Sequence, residues 1–555
     1  MSALAQPARA LAGRRSSVRE RDAGPLMVFL VVFAATFAFG VWMSARGFRW
    51  NDAMARAASA LAVVQGPDAK LANIGFVWPP LPTLLDSIGA LFYPIWPRVV
   101  SGGFSATLTT ASCAGATAAL LLATARRLGL SNRLGWTFAL LVATNPILFL
   151  YASNGMPEGV ALPFLTGAVC CLTLFWHTGQ RLWIAATGVA LAFGVATIYQ
   201  GVAYGAAVYA ALVGGILWSS EARACAPQGR ARAIEGLGLM LVVPPAFVGL
   251  LWIGANAVIM GNPFDFVSGA YGYGSFQGRS DGVHQLVTGD FVGALALVGE
   301  RVFPFLIPLA FVLAVRLVDG RLRRINSLSL LVLGLSVPLG MVVPMALLGS
   351  PMGFLRYLIF PLFVAAGWGL YEITLSNRRR RAVALIVAGW LVAFPAEVWV
   401  MSDARLAPEE EPELTALMKG LDGQDSIGMR TPVARYLDAH VLSDGRNLLL
   451  DSVAGGSSIA VQIKPAHRGQ LILTADRRFK RALARPGSHD VGYFMTPDPS
   501  GSPNAAINRI YPALWNGQLP GFRLVKTLAT PLEKWRIYAV IPGERIPPRT
   551  TGGRG

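Results

Sequence analysis

The sequence predicts an α-helical, polytopic membrane protein with about eleven transmembrane helices and a small C-terminal α/β domain. Of its 555 residues, 54% are hydrophobic and only 14% are charged, whereas soluble globular chains carry about 25% charged residues. The basic residues concentrate in short segments between long apolar runs. The net charge of +18 is therefore explained by membrane topology rather than by nucleic-acid binding, because basic loops stay on the cytoplasmic side of a membrane.

The transmembrane part is predicted to begin with a signal anchor and a long outer loop. An arginine-rich segment at 1–25 precedes an apolar run at 26–45, and about 20 apolar residues suffice to cross a bilayer. No small-residue cleavage site ends the run convincingly, so we expect it to be retained, with the basic segment as a cytoplasmic tail. The outer loop, 46–99, contains a helical pattern at 52–64 and the apolar segment LPTLLDSIGALFYPIW. A crossing by that segment would move every later basic loop outside, so we expect it to lie on the membrane surface or to re-enter.

Ten further apolar runs complete a transmembrane domain at 26–402. When all of them cross, the arginine clusters fall on one side of the membrane, as the positive-inside rule requires. A second long outer loop is expected at 260–301. The ten predicted spans are 101–125, 134–151, 159–176, 182–198, 201–218, 236–259, 302–318, 327–348, 357–375 and 382–400.

Residues 403–555 fall on the extracytoplasmic side in this topology and are expected to form a soluble domain. Strand-like segments such as NLLLDSV, QLILTAD, DVGYFMT and WRIYAVI alternate with helix-like ones, a pattern typical of a small α/β domain. About 150 residues are enough for one hydrophobic core. None of the four cysteines lies in this region, so no disulfide framework is predicted there.

The conspicuous polar residues lie at the predicted outer ends of the spans rather than in their centres. Proton- or ion-driven transporters tend to carry charged residues in mid-membrane, whereas an enzyme that acts on a lipid headgroup needs them at the interface. The distribution favours the enzyme over a secondary transporter or flippase, and a non-catalytic envelope-assembly protein stays open. The residues are Asp52, Asp86, Glu158, Gln200, Asp265, Glu300 and Arg356.

Three of these residues have both a structural and a functional interpretation. Asp52 could cap the predicted outer-loop helix or pair with Arg56, and it could equally act as a general base toward an acceptor hydroxyl. Glu158 suits the first turn of a helix, where acids are favourable. Arg356 suits an interfacial anchor beside Tyr357, but its guanidinium also suits phosphate recognition.

The order of several short motifs resembles that of the GT-C superfamily, glycosyltransferases that use polyprenyl-phosphate sugars. An acidic residue near the start of the first outer loop, here Asp52, and a soluble tail outside the membrane fit the same pattern. The resemblance covers most of residues 26–402. The motifs are FVWPPLPTLL before the second span, NPILFLYASNGMPE after the third, TIYQG after the fifth, NPFDF after the seventh and RYLIFPL at the start of the tenth.

The resemblance implies roles for individual residues. Asp52 would be the catalytic base, Glu158 would support the acceptor or a metal, and Arg356 would hold the lipid phosphate. The same motifs supply the expected substrate-binding residues, which are Trp78, Tyr199, Gln200, Asn262 and Asp265.

The implied function is an inverting glycosyltransferase of the cell membrane. It would move a sugar from a polyprenyl-monophosphate donor to a hydroxyl on an envelope glycan, lipid or protein at the outer face, surrounded by membrane lipid and without a nucleic-acid partner. The histidines are scattered, so no all-histidine metal site is predicted. The chain has Asn51-Asp52 where paired acids are often found, and Tyr199-Gln200 where arginine and an acid are frequent. Both the use of a divalent metal as cofactor and the identity of the sugar therefore stay open.

Overall fold

The structure, a computed structural model, describes most of the chain. The basic N-terminal tail and the part of the predicted second outer loop at 270–286 lie outside the described residues. The described residues are 23–66, 68–218, 227–269, 287–322, 325–350, 354–423, 425, 427–452, 455–474, 476–486, 491–502 and 505–542.

The chain forms two compact units, each assembled from separate stretches of sequence. The helical unit comprises Met1–Phe39, Phe76–Leu81 and Thr110–Leu421. The sheet unit comprises Gly40–Gly75, Pro82–Thr109 and Asp422–Gly555. Most of the first predicted outer loop therefore belongs to the sheet unit, and only six of its residues, 76–81, join the helical unit.

Helices account for most of the described residues up to position 418. In the first part of the chain they are α1 (Gly24–Ala45), α2 (Asn51–Gln65), α3 (Leu81–Ala90), α4 (Arg98–Ser101), α5 (Phe104–Arg127), α6 (Asn132–Ala143), α7 (Pro146–Ser153), α8 (Pro157–Thr178), α9 (Leu182–Thr197) and α10 (Gln200–Trp218). They continue with α11 (Pro227–Met260), α12 (Asp265–Ser268), α13 (Phe291–Val318), α14 (Ile325–Val337), a π-helical turn (Pro338–Val342), α15 (Val343–Leu347), a 3₁₀ turn (Leu355–Leu358), α16 (Phe360–Leu375), α17 (Arg379–Met401) and α18 (Glu411–Met418).

Each predicted span coincides with helical structure, but the count of eleven is not confirmed. Within the described residues, eight helices are long and apolar enough to cross a membrane, and the bent pair α6–α7 raises the number to nine. Two further apolar helices, α9 and α16, have 16 residues each, fewer than the roughly 17 to 25 that a span requires. The predicted surface helix is α3, whose 10 residues are too few to cross.

The third predicted span is two helices rather than one, because the sequence breaks it at Asn145-Pro146. The Asn145 side chain accepts a hydrogen bond from the Leu148 amide at 3.2 Å and so caps α7, and proline is favourable at a first helical position. The Glu397 carboxylate of α17 accepts from Asn145 Nδ2 at 2.8 Å. The two helices, α6 and α7, meet at 72°.

The sheet unit has the mixed α/β architecture that the sequence predicts for the tail. Its five strands lie in the order β2-β1-β3-β5-β4. β1 is parallel to β2 and β3, whereas β5 is antiparallel to β3 and β4. The strands are β1 (Asn447–Leu450), β2 (Leu471–Leu473), β3 (Val491–Pro497), β4 (Phe522–Ala529) and β5 (Lys534–Val540), and the accompanying helices are α19 (Thr431–His440), α20 (Gly456–Ala460), α21 (Phe479–Ala484) and α22 (Ala506–Ile510).

Apolar clusters cover both faces of the sheet at β1, β2, β3 and β5, and the first outer loop adds a third core. Leu448 and Leu450 of β1 pack in one apolar cluster, and Leu449 packs in the other, as the alternation of side chains along a strand requires. A separate cluster joins Leu61 and Tyr93 of the outer loop to Ile427 and Val461. The Tyr93 hydroxyl also donates to the Ile463 carbonyl at 2.9 Å. The outer loop and the C-terminal region therefore fold as one body.

Candidate functional site

Arg356, the predicted phosphate-binding residue, lies buried in the 3₁₀ turn directly before α16. Its Nε is 3.5 Å from Glu158 Oε1, a separation typical of an ion pair rather than of a short hydrogen bond. Nη2 donates to the Tyr357 hydroxyl at 3.0 Å, and the guanidinium lies 3.7 Å from the centre of the Phe354 ring. The cation is thus held by one carboxylate and two aromatic rings, away from bulk water.

Glu158 stands in the first turn of α8, where Pro157 opens the helix. Its side chain is buried, and its Oε2 has no hydrogen-bond partner among the residues that the structure describes. Two of the residues singled out from sequence, Glu158 and Arg356, are therefore brought together, although they are far apart in the chain.

Asn154 is a buried residue that the sequence reasoning did not single out. Its Oδ1 accepts from the Met156 amide at 3.1 Å, which fixes the turn between α7 and α8. Its Nδ2 has no hydrogen-bond partner within the described part of the chain. Buried polar groups are nearly always hydrogen-bonded in native proteins, so Asn154 and Glu158 together provide a donor and an acceptor suited to a polar ligand. The sequence did contain a clue to Asn154, because this residue lies inside the motif NPILFLYASNGMPE.

A second carboxylate, Glu410, is buried and contacts the 3₁₀ turn that carries Arg356. Its Oε1 accepts from the Tyr151 hydroxyl at 2.5 Å and from the Leu355 amide at 2.8 Å. Burial raises the pKa of Glu410 to about 7, against the hydrogen bond from Tyr151 and the nearby cations Arg301 and Arg356. Nothing in the sequence singles out Glu410, because it is one of several acids in the segment PEEEPE. We call Tyr151, Glu158, Arg301, Arg356 and Glu410 the Arg356 cluster.

An aromatic group surrounds Tyr199, one of the predicted substrate-binding residues. The Tyr199 hydroxyl donates to the Val77 carbonyl at 3.1 Å and accepts from the Trp252 indole at 3.2 Å. Its ring stacks on Phe266 with centroids 5.0 Å apart. Phe76 stacks in turn on Trp252 at 5.2 Å. Trp78 follows Val77 directly, so the motifs around Trp78 and Tyr199 meet in the folded chain.

The remaining predicted substrate-binding residues lie next to this group. Gln200 is buried at the first position of α10. Asn262 donates to the Ser268 hydroxyl at 2.9 Å and accepts from the Phe264 amide at 3.0 Å, so its amide shapes the local turn. Asp265 opens α12, one residue before Phe266. Their roles toward a substrate stay predictions.

The starts of α10 and α16 lie against each other. The ring of Tyr204, in the second turn of α10, is 5.6 Å from that of Phe360, the first residue of α16. Tyr199 and Arg356 lie a few residues before these two positions. The aromatic group and the Arg356 cluster therefore occupy the same end of the helical unit.

Asp52, the predicted base, belongs to the sheet unit and is not a helix cap. α2 begins at Asn51 with Trp50 in the cap position, and the Trp50 side chain makes no capping hydrogen bond. The capping interpretation is therefore wrong, since Asp52 is the second helical residue. Arg56 is buried one turn later and its Nη1 reaches the Asp52 carbonyl oxygen at 3.5 Å. Asp86 is also buried, and burial raises its pKa to about 7 against a hydrogen bond from Thr109 and the charge of Arg56.

The residues that the structure describes contain no group of three or more histidine, cysteine, aspartate or glutamate side chains placed to hold a metal ion. Glu158, which the resemblance implies as a metal or acceptor ligand, has Arg356 as its charged neighbour. Metal dependence stays an open prediction.

Comparison with known proteins agrees with the predicted class. Residues 100–225 match the model of the dolichyl-phosphate-mannose-protein mannosyltransferase family. The fold is similar to the crystal structure of ArnT from Cupriavidus metallidurans bound to undecaprenyl phosphate, with a TM-score of 0.50 at 13% sequence identity over 94% of this chain and 99% of that chain. The apo structure of the same protein matches with a TM-score of 0.47 at 14% identity, over 93% and 98% of the two chains. No curated protein sequence matches.

These matches confirm the predicted resemblance to the GT-C glycosyltransferases and the predicted fold class, a polytopic helical membrane protein with a small C-terminal sheet region. The family match covers residues 100–225 and therefore includes Glu158 and Tyr199. It ends before Arg356 and begins after Asp52, so the roles of those two residues depend on their own surroundings.

Proposed function

We propose that the protein is an inverting glycosyltransferase that takes a sugar from a polyprenyl-monophosphate donor. The observation that carries the proposal is the buried pair of Arg356 and Glu158, at the end of the helical unit where the sequence motifs converge. A buried guanidinium is well suited to a phosphate, because its fork can donate two hydrogen bonds to two phosphate oxygens. A lipid-linked sugar also accounts for a membrane body around the site.

The donor phosphate is a monoanion in a phosphodiester and becomes a free phosphate monoester when the sugar leaves. Arg356 offsets the charge that develops on the departing oxygen, and such stabilisation is strongest where water is excluded. A carboxylate base, the role that the resemblance implies for Asp52, accepts the proton of the acceptor hydroxyl as that oxygen attacks the anomeric carbon. The bond between the anomeric carbon and the phosphate oxygen breaks on the opposite face, so the configuration inverts. Polyprenyl phosphate is the second product.

Two further features support this assignment. The similar fold of ArnT was determined with undecaprenyl phosphate bound, a lipid of the donor class proposed here. Asn154 and Glu158 supply a buried amide donor and carboxylate acceptor, and groups of this kind bind sugar hydroxyls by hydrogen bonds. The acceptor is a hydroxyl of an envelope glycan, lipid or protein on the outer face of the membrane, as the positive-inside topology implies.

The test is sugar transfer by the purified protein in lipid nanodiscs. Polyprenyl-phosphate-linked hexoses, pentoses and aminosugars are offered together with envelope extracts as acceptor, and nucleotide sugars serve as the matched control donors. We expect transfer from one lipid-linked donor, no transfer from any nucleotide sugar, and an inverted anomeric linkage by NMR. Retention of configuration, or transfer from a nucleotide sugar alone, would overturn the proposal.

A secondary transporter or flippase, the alternative from the sequence, makes a different prediction. Proteoliposomes would then move an intact labelled lipid precursor or solute across the bilayer without breaking a glycosidic bond. Translocation without a new linkage in the nanodisc assay would favour that alternative. A mass and linkage comparison of envelope glycans with and without the protein would identify the acceptor.

A further inference from the structure

Glu410 connects three separate parts of the helical unit. It precedes α18 and is fully buried, and its backbone is fixed by hydrogen bonds from its amide to the Ala407 carbonyl at 3.1 Å and from the Leu414 amide to its own carbonyl at 3.0 Å. Its side chain accepts from Tyr151 of α7 and from the Leu355 amide. A rigidly held carboxylate thus reaches the turn that carries Arg356.

The bond to Leu355 has a specific structural consequence. Leu355 is the first residue of the 3₁₀ turn Leu355–Leu358, and the first amides of a helical turn have no partner within the turn. Glu410 supplies that partner from a distant segment, as a capping side chain does at a helix start. Arg356 is the next residue, so the position of its backbone depends on this cap.

We infer that Glu410 is a positioning residue for Arg356: it fixes the turn so that the guanidinium is set to receive a lipid phosphate. The inference rests on the proposed function for the phosphate, although the anchoring of the turn can be measured without it. Glu410 is not expected to touch the substrate, because its contacts are with Tyr151 and the Leu355 amide.

The charged and titratable groups facing Glu410 come from three elements. They are Tyr151 of α7, Arg301 of α13 and Arg356 of the turn. The Tyr151 hydroxyl and the two cations oppose the effect of burial on the carboxyl. The pair of buried cations therefore faces a pair of buried carboxylates, Glu410 and Glu158. Removing one carboxylate changes this balance as well as the cap.

The experiment compares Glu410→Ala with Glu410→Gln. The amide oxygen of glutamine can still accept from the Leu355 N–H, whereas alanine leaves that buried donor unpaired, which is expensive. Undecaprenyl phosphate is the binding probe, measured by tryptophan fluorescence in detergent, and hydrogen exchange of the peptide spanning 355–360 reports on the turn. We expect Glu410→Ala to weaken binding about tenfold and to speed exchange, and Glu410→Gln to stay within about twofold of wild type, since an unmet buried donor costs on the order of a factor of ten.

Glu413→Ala is the matched control. Glu413 lies three residues later in the same segment, burial likewise raises its pKa to about 7, and within the described residues it makes no hydrogen bond to Leu355–Leu358. It should leave both measurements unchanged. A merely structural role for Glu410 would lower the melting temperature of Glu410→Ala but not its affinity once folded.

The outcomes separate the two proposals. If the wild type and Glu410→Ala bind undecaprenyl phosphate equally well, the positioning role is overturned, even if hydrogen exchange of the peptide 355–360 changes. An equal loss of affinity in Glu410→Gln and Glu410→Ala also overturns it, since the loss would then come from the missing charge of Glu410 and not from the missing hydrogen bond to Leu355. Wild type that shows no affinity for the lipid contradicts the proposed function instead, while slower exchange of the turn in wild type than in Glu410→Ala would still show the anchoring.

Discussion

Two buried charge clusters lie near opposite ends of the same two helices, α13 and α16. The first is the Arg356 cluster. The second, which we call the Glu372 cluster, consists of Arg316, Arg321, Trp368 and Glu372. Arg301 and Arg316 both belong to α13 and lie about 22 Å apart along it, at the usual rise of 1.5 Å per residue. The same two helices thus carry a buried charge cluster at each end. The presence of buried charges alone does not tell which cluster belongs to the functional site.

The two clusters differ in how fully their carboxylates are engaged. Glu372 has a guanidinium beside each oxygen, Arg316 at 3.3 Å from Oε1 and Arg321 at 2.9 Å from Oε2, and its Oε1 accepts from the Trp368 indole at 3.0 Å. Glu158 has the single guanidinium of Arg356 beside it, 3.5 Å from Oε1; the Oε2 atoms of both carboxylates have no hydrogen-bond partner among the described residues. A carboxylate surrounded by its own partners is suited to hold helices together. A carboxylate with a single cation beside it is better suited to bind a ligand.

The largest effect should come from breaking the Glu372 cluster, and it should be an effect on stability. Glu372→Ala removes a carboxylate that faces two buried guanidiniums, of which Arg321 keeps its ion pair with Asp319 at 2.9 Å, and breaking a buried pair in this way costs about 3–5 kcal/mol. We expect a much lower melting temperature and poor yield, measured by differential scanning fluorimetry in detergent, with normal specific activity of the folded fraction. The exposed pair Glu300–Arg405 provides the control, since Glu300→Ala should cost less than about 1 kcal/mol. A stable Glu372→Ala variant without activity would place the site at this end and reverse the comparison.

Arg356→Ala should be the most damaging change to sugar transfer. Truncating one member of a buried charge pair costs about 2–5 kcal/mol, so kcat/KM should fall on the order of 10²- to 10³-fold. Arg356→Lys should recover only part of it, because lysine lacks the planar fork. Arg356→Ala also leaves the buried charge of Glu158 without this cation. The double variant Arg356→Ala with Glu158→Gln separates that effect from the loss of phosphate binding, because it should regain stability but not sugar transfer. Equal transfer by arginine, lysine and alanine would reduce Arg356 to an interfacial anchor.

Asp52→Asn extends the comparison to the sheet unit. Asp52 lies inside the first turn of α2 and not in the cap position, so loss of its charge should cost stability through the helix dipole, about 0.3–1 kcal/mol. An amide cannot accept the proton of a hydroxyl, and loss of a general base should lower kcat on the order of 10²-fold. Steady-state transfer kinetics measure it. Asn51→Ala is the neighbouring control and should cost little. Normal transfer by the Asp52→Asn protein would show that another group is the base.

The sequence allowed the spans and the motif residues to be predicted, because hydropathy and arginine loops are local signals. The break at Asn145-Pro146 was also visible in the sequence, but the apolar run around it concealed the bend. β4 was missed because it is an edge strand with exposed residues on both faces, including Arg523 and Lys526. Glu410 was beyond reach for a different reason: its partners, Tyr151 and Leu355, are contributed by remote segments, and nothing distinguishes it from the acids beside it.

Glu158→Gln should have a smaller effect than Arg356→Ala, and it tests whether the carboxylate with a single cation beside it matters. Glutamine keeps the size and one acceptor oxygen but loses the charge that faces Arg356. We expect a fall in kcat/KM of about tenfold, the scale of one charged hydrogen bond. The measurement is transfer at several acceptor concentrations, because a role toward the acceptor would raise its KM. Glu397→Gln serves as the control, since that carboxylate is bonded to Asn145 and the Ile147 amide. A Glu158→Gln enzyme with unchanged kinetics would make this carboxylate as structural as Glu372.

The last expected effect is a pH dependence of stability that belongs to the Arg356 cluster. Burial raises the folded-state pKa of Glu410 from an ordinary 4.5 to about 7, so between those values the folded protein binds the proton more tightly than the unfolded chain does. Its contribution is therefore most favourable below about pH 4.5 and is lost as pH rises toward 7. Asp86 and Glu413 should act in the same direction. The melting temperature should fall from pH 5 to pH 8, and Glu410→Gln, which has no proton to lose, should fall less. The difference in melting temperature between Glu410→Gln and wild type should accordingly grow with pH. A difference in melting temperature that stays constant from pH 5 to pH 8 would mean that the Glu410 carboxyl does not titrate in that range. Glu410 would then keep one fixed charge state, as we expect for Glu372 at the other end of α16.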